Sequence, residues 1–174
     1  MTTDAVNRSS ATTSGSNTPK TGGFHWRDEF TLGHADIDAM HHEFSDVLNQ
    51  LLLSDDDELA DTLDAFLEHA HRHFEQEARQ MRETRYSGAS CHLEEHGAVL
   101  ASGEQVRLLL EAGNRHEARR YATELARWFP KHSDEMDRSL AHWLLTRRAD
   151  GRLPVKIIRK PVQPHNPGPH TDQG

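Results

Sequence analysis

The run ELADTLDAFLEHAHRHFEQEARQMRET, residues 58–84, is the stretch on which the fold turns. Leu59, Leu63, Phe66, Leu67, Phe74 and Met81 recur at the three-and-four spacing of one helical face. His73 and Glu77 stand four apart on the same helix, so a single element presents an imidazole and a carboxylate together. Asp55, Asp56 and Asp57 break the pattern that precedes this stretch and place negative charge at its N-terminus.

Upstream, Ile37, Met40, Phe44, Val47, Leu48 and Leu51 predict a helix from about Ile37 to Leu53, capped by Asp36. Downstream, Tyr86-Ser87-Gly88 reads as a turn. A third helix follows from about Ser90 to Ala112, weakened by Gly97 and Gly103 and stopped by Gly113-Asn114. The fourth runs from about Arg115 to Arg148 on Ala118, Tyr121, Leu125, Trp128, Met136, Leu140, Trp143 and Leu144. Pro130 lies inside it and removes the donor for the carbonyl of Ala126, which predicts a kink just before His132.

Neither a strand nor an internal repeat emerges, and the connections are short. The expectation is an all-α, up-down-up-down antiparallel four-helix bundle over residues 24–150, with a disordered extension at 1–23 and a Pro-rich basic tail at 151–174.

A chain of 174 residues suits one domain with a true core. Fourteen histidines exceed what a core requires, and metal ligation explains such an excess. The single cysteine, Cys91, rules out an intramolecular disulfide and fits a reducing, cytoplasmic home; it reads as an ordinary helix residue. The N-terminus lacks the apolar run of a signal peptide, and nothing approaches the roughly 20 apolar residues of a membrane span. A net charge of −8, concentrated in the middle of the chain, argues against nucleic acid. The tail, with Arg152, Lys156, Arg159 and Lys160, offers a contact for a protein partner.

His41, His73, Glu77, His92, His96, His132 and Asp137 fall where four helices each direct nitrogen or oxygen donors into one interior. His92 and His96 repeat the four-residue spacing, whereas His132 and Asp137 are five apart. Imidazole with carboxylate suits iron, manganese or zinc, and the lack of thiolates argues against an iron–sulfur or structural zinc site. Five histidines and two carboxylates are too many donors for one ion and right for two, if both carboxylates bridge.

These residues resemble the hemerythrins, especially the bacterial single-domain forms. The resemblance spans about Phe24 to Leu145: Trp26, Ile37-Asp38-Ala39-Met40-His41, His73-Phe74-x-x-Glu77-x-x-x-Met81, Tyr86 ahead of His92-x-x-x-His96, and Trp128-x-x-x-His132-x-x-x-x-Asp137. It implies two iron ions bridged by oxide or hydroxide. His92, His96 and His132 would hold one iron and His41 and His73 the other, with Glu77 and Asp137 bridging. Dioxygen would bind at the iron with fewer donors, lined by Phe44, Phe74, Trp128, Phe129 and Ser133, and the oxidised site, carrying net positive charge, would take small anions such as azide.

The implied role is an oxygen carrier, store or sensor rather than an enzyme. The alternatives are a di-iron oxidoreductase acting on peroxide or nitric oxide, and an iron-responsive interaction protein. The family usually has Leu and Ile where Phe129 and Ser133 stand, and often Tyr where His69 stands.

Ser133 is expected to bond back to the carbonyl of Phe129; facing the site instead, it would admit water and hasten autoxidation. His42, Asp134 and Glu135 compete with His41 and Asp137, which the spacing of the family favours. His25, His34, His42, His71, His116, His142, His165 and His170 read as surface residues.

Overall fold

A computed structural model of the chain describes residues 23–150, with side chains to Arg147. The expectations for the two ends, the tail contact included, fall almost entirely outside the described residues. A 3-10 turn at Asp28–Phe30 leads into α1 (Ala35–Leu53), α2 (Leu59–Thr84), α3 (Ala89–Glu111) and α4 (Arg115–His132). A π-helical turn, Ser133–Asp137, then joins α4 to α5 (Arg138–Asp150), and the three form one rod. Neighbouring rods pack around the ring α1–α2–α3–α4 and back to α1.

The start of α1 differs from expectation. His34, not Asp36, caps it through an imidazole nitrogen that accepts from the amide of Ile37 at 3.5 Å. His34 is therefore buried, 1% exposed, and is a correction to its reading as a surface residue. Asp38 tightens the entry: its two carboxylate oxygens accept from the amides of Leu32 and Gly33 at 2.7 and 3.0 Å.

Pro130, expected to kink the helix just before His132, lies inside α4; the α-helix continues through it to His132 and changes its winding immediately after, at the π turn. Gly103 also proves to be more than a weakness in α3. A Cβ there would stand 2.4 Å from a Leu67 methyl and 2.7 Å from the Tyr121 hydroxyl, which itself donates to the carbonyl of Val99 at 3.0 Å. Glycine at 103 lets α3 approach α2 and α4, while Gly97 faces open space.

The apolar interior comes in two parts. A large core gathers Phe44, Leu48, Leu51, Leu63, Phe66, Leu125 and Phe129 with their neighbours. A smaller one gathers Ile37, Met81, Leu140, Ala141 and Leu144. Along α1 the chain passes from the small core to the large, along α2 from large to small, along α3 toward the large again, and along the fourth rod back. This alternation is the up-down-up-down topology. Between the cores lies a layer of buried polar side chains.

Candidate metal centre

The polar layer is built from short helical repeats. On α2 the four-residue spacing brings His73 and Glu77 onto one face, and on α3 it does the same for His92 and His96. His41 enters from α1 one turn before Phe44. His132 closes α4 and Asp137 closes the π turn.

Five residues at about 100° each would leave His132 and Asp137 about 140° apart on an α-helix. The π turn, in which the amide of Arg138 donates to the carbonyl of Ser133, widens the winding and restores them to a common side. All seven side chains are almost fully buried, His41 at 0% and His132 at 3% exposure marking the range.

Each carboxylate divides its oxygens between two groups of histidines. Glu77 places Oε1 3.2 Å from His73 Nε2, and Oε2 3.3 and 3.6 Å from Nε2 of His92 and His96. Asp137 places Oδ2 3.1 Å from His41 Nε2, and Oδ1 3.0 and 3.3 Å from Nε2 of His92 and His132. His96 and His132 bring their Nε2 atoms within 2.9 Å of each other.

The donors fit a bound cation. Nε2 of His41 and of His92 lie at about hydrogen-bond distance from Asp137 yet make no hydrogen bond by geometry, so their lone pairs aim past the carboxylate. Two carboxylates sealed beside five imidazoles require positive charge nearby.

Electrostatics say the same. Burial and Asp137 push the Glu77 carboxyl up, but His73 and His92 outweigh them and hold it at about 2. Burial also opposes ionised Asp137, and the imidazoles of His132, His41 and His92 close against its oxygens bring it well below the usual carboxylate range. Burial disfavours a charged His92, but Asp137 and Glu77 raise it to about 9. The same competition raises His132, whereas burial dominates at His96 and lowers it to about 3.

The aromatic surroundings fall into two sets. Phe129 stacks on Phe44 at 4.5 Å and sets its edge against His41 at 5.1 Å, so this pair covers the His41 and His73 side. Phe74 stacks on His96 at 3.7 Å and Trp128 on His132 at 4.3 Å, on the opposite side. Ser133 departs from expectation: its hydroxyl is buried and makes no hydrogen bond among the described residues, and its backbone amide reaches the carbonyls of Phe129 and Pro130.

Sequence reasoning overlooked Glu95. Its Oε2 accepts from His132 Nδ1 at 2.9 Å and from the Trp128 indole at 3.2 Å, and the His132 bond holds the Glu95 carboxyl below its usual range. An outer carboxylate of this kind fixes the tautomer and direction of a ligating imidazole. The signal was its position between the two histidines of the third helix, directly before His96, a position beside the equally acidic Glu94.

His69 is buried beside His73 and is met by Arg72 at 3.2 Å and Glu43 at 3.5 Å; burial, with His73 and Arg72, lowers it to about 4. The competing residues stand outside. His42 is exposed and lies against Trp26 at 3.8 Å, Asp134 pairs with Arg138 at 2.8 Å, and Glu135 meets Lys131 at 3.8 Å. Cys91 is exposed and free.

Residues 32–144 match the model of the hemerythrin HHE cation binding domain, and the chain belongs to the hemerythrin family. It is 36% identical over 127 residues to the bacteriohemerythrin of Ralstonia nicotianae (strain ATCC BAA-1114 / GMI1000), covering 73% of this chain and 93% of that protein. Among the described residues, no helix is long and apolar enough to cross a membrane.

Proposed function

We propose that the chain binds dioxygen reversibly at a carboxylate-bridged di-iron centre, as a carrier, store or sensor. The observation that supports this reading is the division of both carboxylates: each turns one oxygen to His41 or His73 and the other toward the group His92, His96 and His132. His92, His96 and His132 would hold one ion, His41 and His73 the other, and Glu77 and Asp137 would touch both. When bound, such a centre supplies the electrons that dioxygen takes up and recovers them on release.

The unequal histidine count leaves the His41 and His73 side one protein donor short, so a small ligand belongs there. Phe44 and Phe129 make that side apolar and limit water, as reversible oxygen binding needs. Azide and similar anions fit the same place in the oxidised form. Beyond the seven donors, the buried titratable residues among those described are His34, at a helix start, His69, and Tyr121, whose hydroxyl donates to the carbonyl of Val99. None of them supplies a general acid or base directed at a substrate, which favours a binding protein over an enzyme.

The test is an optical spectrum of the anaerobically reduced, iron-loaded protein while oxygen is admitted and then pumped away. Charge-transfer bands that appear and reverse are the expected result. Irreversible passage to the diferric form would overturn reversible binding in favour of an oxidoreductase or redox sensor, and absence of bands at full protein folding would overturn the di-iron assignment.

A further inference from the structure

The π turn carries a feature that the oxygen-binding role does not require. Against its outer side lies a cavity of about 320 Å³ lined by Glu29, Phe30, Pro130, Ser133, Asp134 and Arg138. Glu29, Asp134 and Arg138 are exposed and form its rim, while Phe30 and Ser133 are buried and form its floor. The volume accommodates several waters at about 30 Å³ each.

The rim is polar and its charges are paired: Arg138 meets Asp134 at 2.8 Å and the carbonyl of Glu29 at 3.4 Å, and the Glu29 carboxylate meets Arg27 at 3.1 Å. A mouth without excess charge admits water and small monovalent anions alike.

Ser133 is shared by this cavity and the π turn next to the metal layer. It is 1% exposed, its Oγ makes no hydrogen bond among the described residues, and it directly follows His132 and opens the turn that ends at Asp137. One turn earlier in the same row, Phe129 touches the His41 ring. The small side chain on the floor of this polar cavity thus belongs to a residue flanked along the rod by two of the donors, His132 directly before it and Asp137 four residues after. The larger cavity between α3 and α4, about 410 Å³, also reaches His132, but there Glu95 stands at the imidazole and engages both His132 and Trp128.

We propose that the cavity over Ser133 is a vestibule through which water and small anions reach the metal interior, with the Ser133 hydroxyl as its innermost hydrogen-bonding station. The proposal rests on the di-iron reading for the identity of the interior. It makes the small size of Ser133 what keeps the way in open to polar ligands, whereas a bulky apolar residue there would seal the floor.

The test uses the full-length, iron-loaded diferric protein, with iron content measured first; failure to load iron would count against the di-iron reading, not the vestibule. In a Cys91→Ser background, Ser133→Cys is treated with methyl methanethiosulfonate and with a polymer-linked maleimide. The small reagent should label Cys-substituted protein about tenfold faster or more than the large one, and adding Asp134→Phe, which fills the rim, should slow it about tenfold.

Stopped-flow azide binding provides a second measurement that needs no new cysteine. Ser133→Ile and Asp134→Phe should each slow azide association about tenfold, while Ser133→Ala leaves the rate within about twofold. Azide rates unchanged in Ser133→Ile and Asp134→Phe would overturn the proposal, as would labelling by the two reagents at equal rates.

Discussion

Replacing Glu95 by Gln asks whether a carboxylate at the rim of the bundle sets the grip of an imidazole inside it. Glu95 Oε2 receives His132 Nδ1 at 2.9 Å and the Trp128 indole at 3.2 Å, although its side chain is 41% exposed. Nδ1 of His41, His73, His92 and His96 makes no hydrogen bond among the described residues, so His132 alone of the five has an orienting partner of this kind.

Glutamine keeps the shape and an acceptor oxygen and loses the charge. A hydrogen bond to a charged group contributes about 1.5–3 kcal/mol, roughly twice that of a neutral one. Halving it and discounting for solvent screening leaves about 1 kcal/mol, or about fivefold in metal affinity, below the 10–100-fold of buried outer partners. Glu95→Ala also strands two donors and should cost about tenfold or more.

The assay is anaerobic competition for ferrous iron against a chelator. Glu94→Gln serves as the neighbouring control, since Glu94 is exposed and accepts from the Ser90 hydroxyl at 3.1 Å. Equal affinities for wild type, Glu95→Gln and Glu95→Ala would refute the reasoning, as would a loss matched by Glu94→Gln.

Two glycines on one helix should respond in opposite directions. Gly97→Ala meets nothing within 4 Å and should stabilise by about 1 kcal/mol, whereas Gly103→Ala collides with Leu67 and Tyr121 and should destabilise by about 1–3 kcal/mol in thermal melts. Phe129→Leu opens the space against His41 and Phe44, at a cost of about 1–2 kcal/mol, and azide should bind the oxidised protein faster; an unchanged rate would mean that Phe129 does not limit access.

Metal-free protein should be most stable near pH 6.5. His92 is raised to about 9 on folding, so its contribution is complete below 6.5 and lost as pH rises through about 9. His69 and His96 are lowered to about 4 and 3, so stability also falls as pH drops below 6.5 and those rings must charge. Metal replaces the proton on His92, so the alkaline loss should vanish in the loaded protein; melting curves at pH 6.5 and 9 that fall equally with and without metal would contradict this.

How much of the molecule could be read from its residues follows the helical repeat. His73 with Glu77, and His92 with His96, obey it, so their convergence was legible, as was the amphipathic character of α2. His132 and Asp137 do not obey it. Five residues apart, they imply an irregular turn, but nothing in the local residues states that the turn is π rather than a Pro130 kink.

Burial of His34 was hidden because its role as a cap depends on where the entry loop is tied, through Asp38, and not on helical periodicity. Glu95 was hidden because two adjacent glutamates look alike until the rotation of α3 sends one toward His132. Gly103 looked like a defect because close approach between helices is a property of the packed state.

The π turn has a further consequence for how the fourth rod tolerates change. Upstream of it, Ala118, Leu125 and Phe129 are in phase with the large core; downstream, Leu140 and Leu144 are in phase with the small one. The turn works as a phase shifter, letting two halves of one rod keep separate angular registers. Winding the same five residues as an α-helix instead would rotate everything beyond by about 100°, one residue's turn. That change of winding would swing Asp137 away from the histidines and Leu140 and Leu144 away from Ile37 and Met81 together, so the one extra residue that the turn absorbs holds in common the alignment of the donor layer and the closure of the bundle's end.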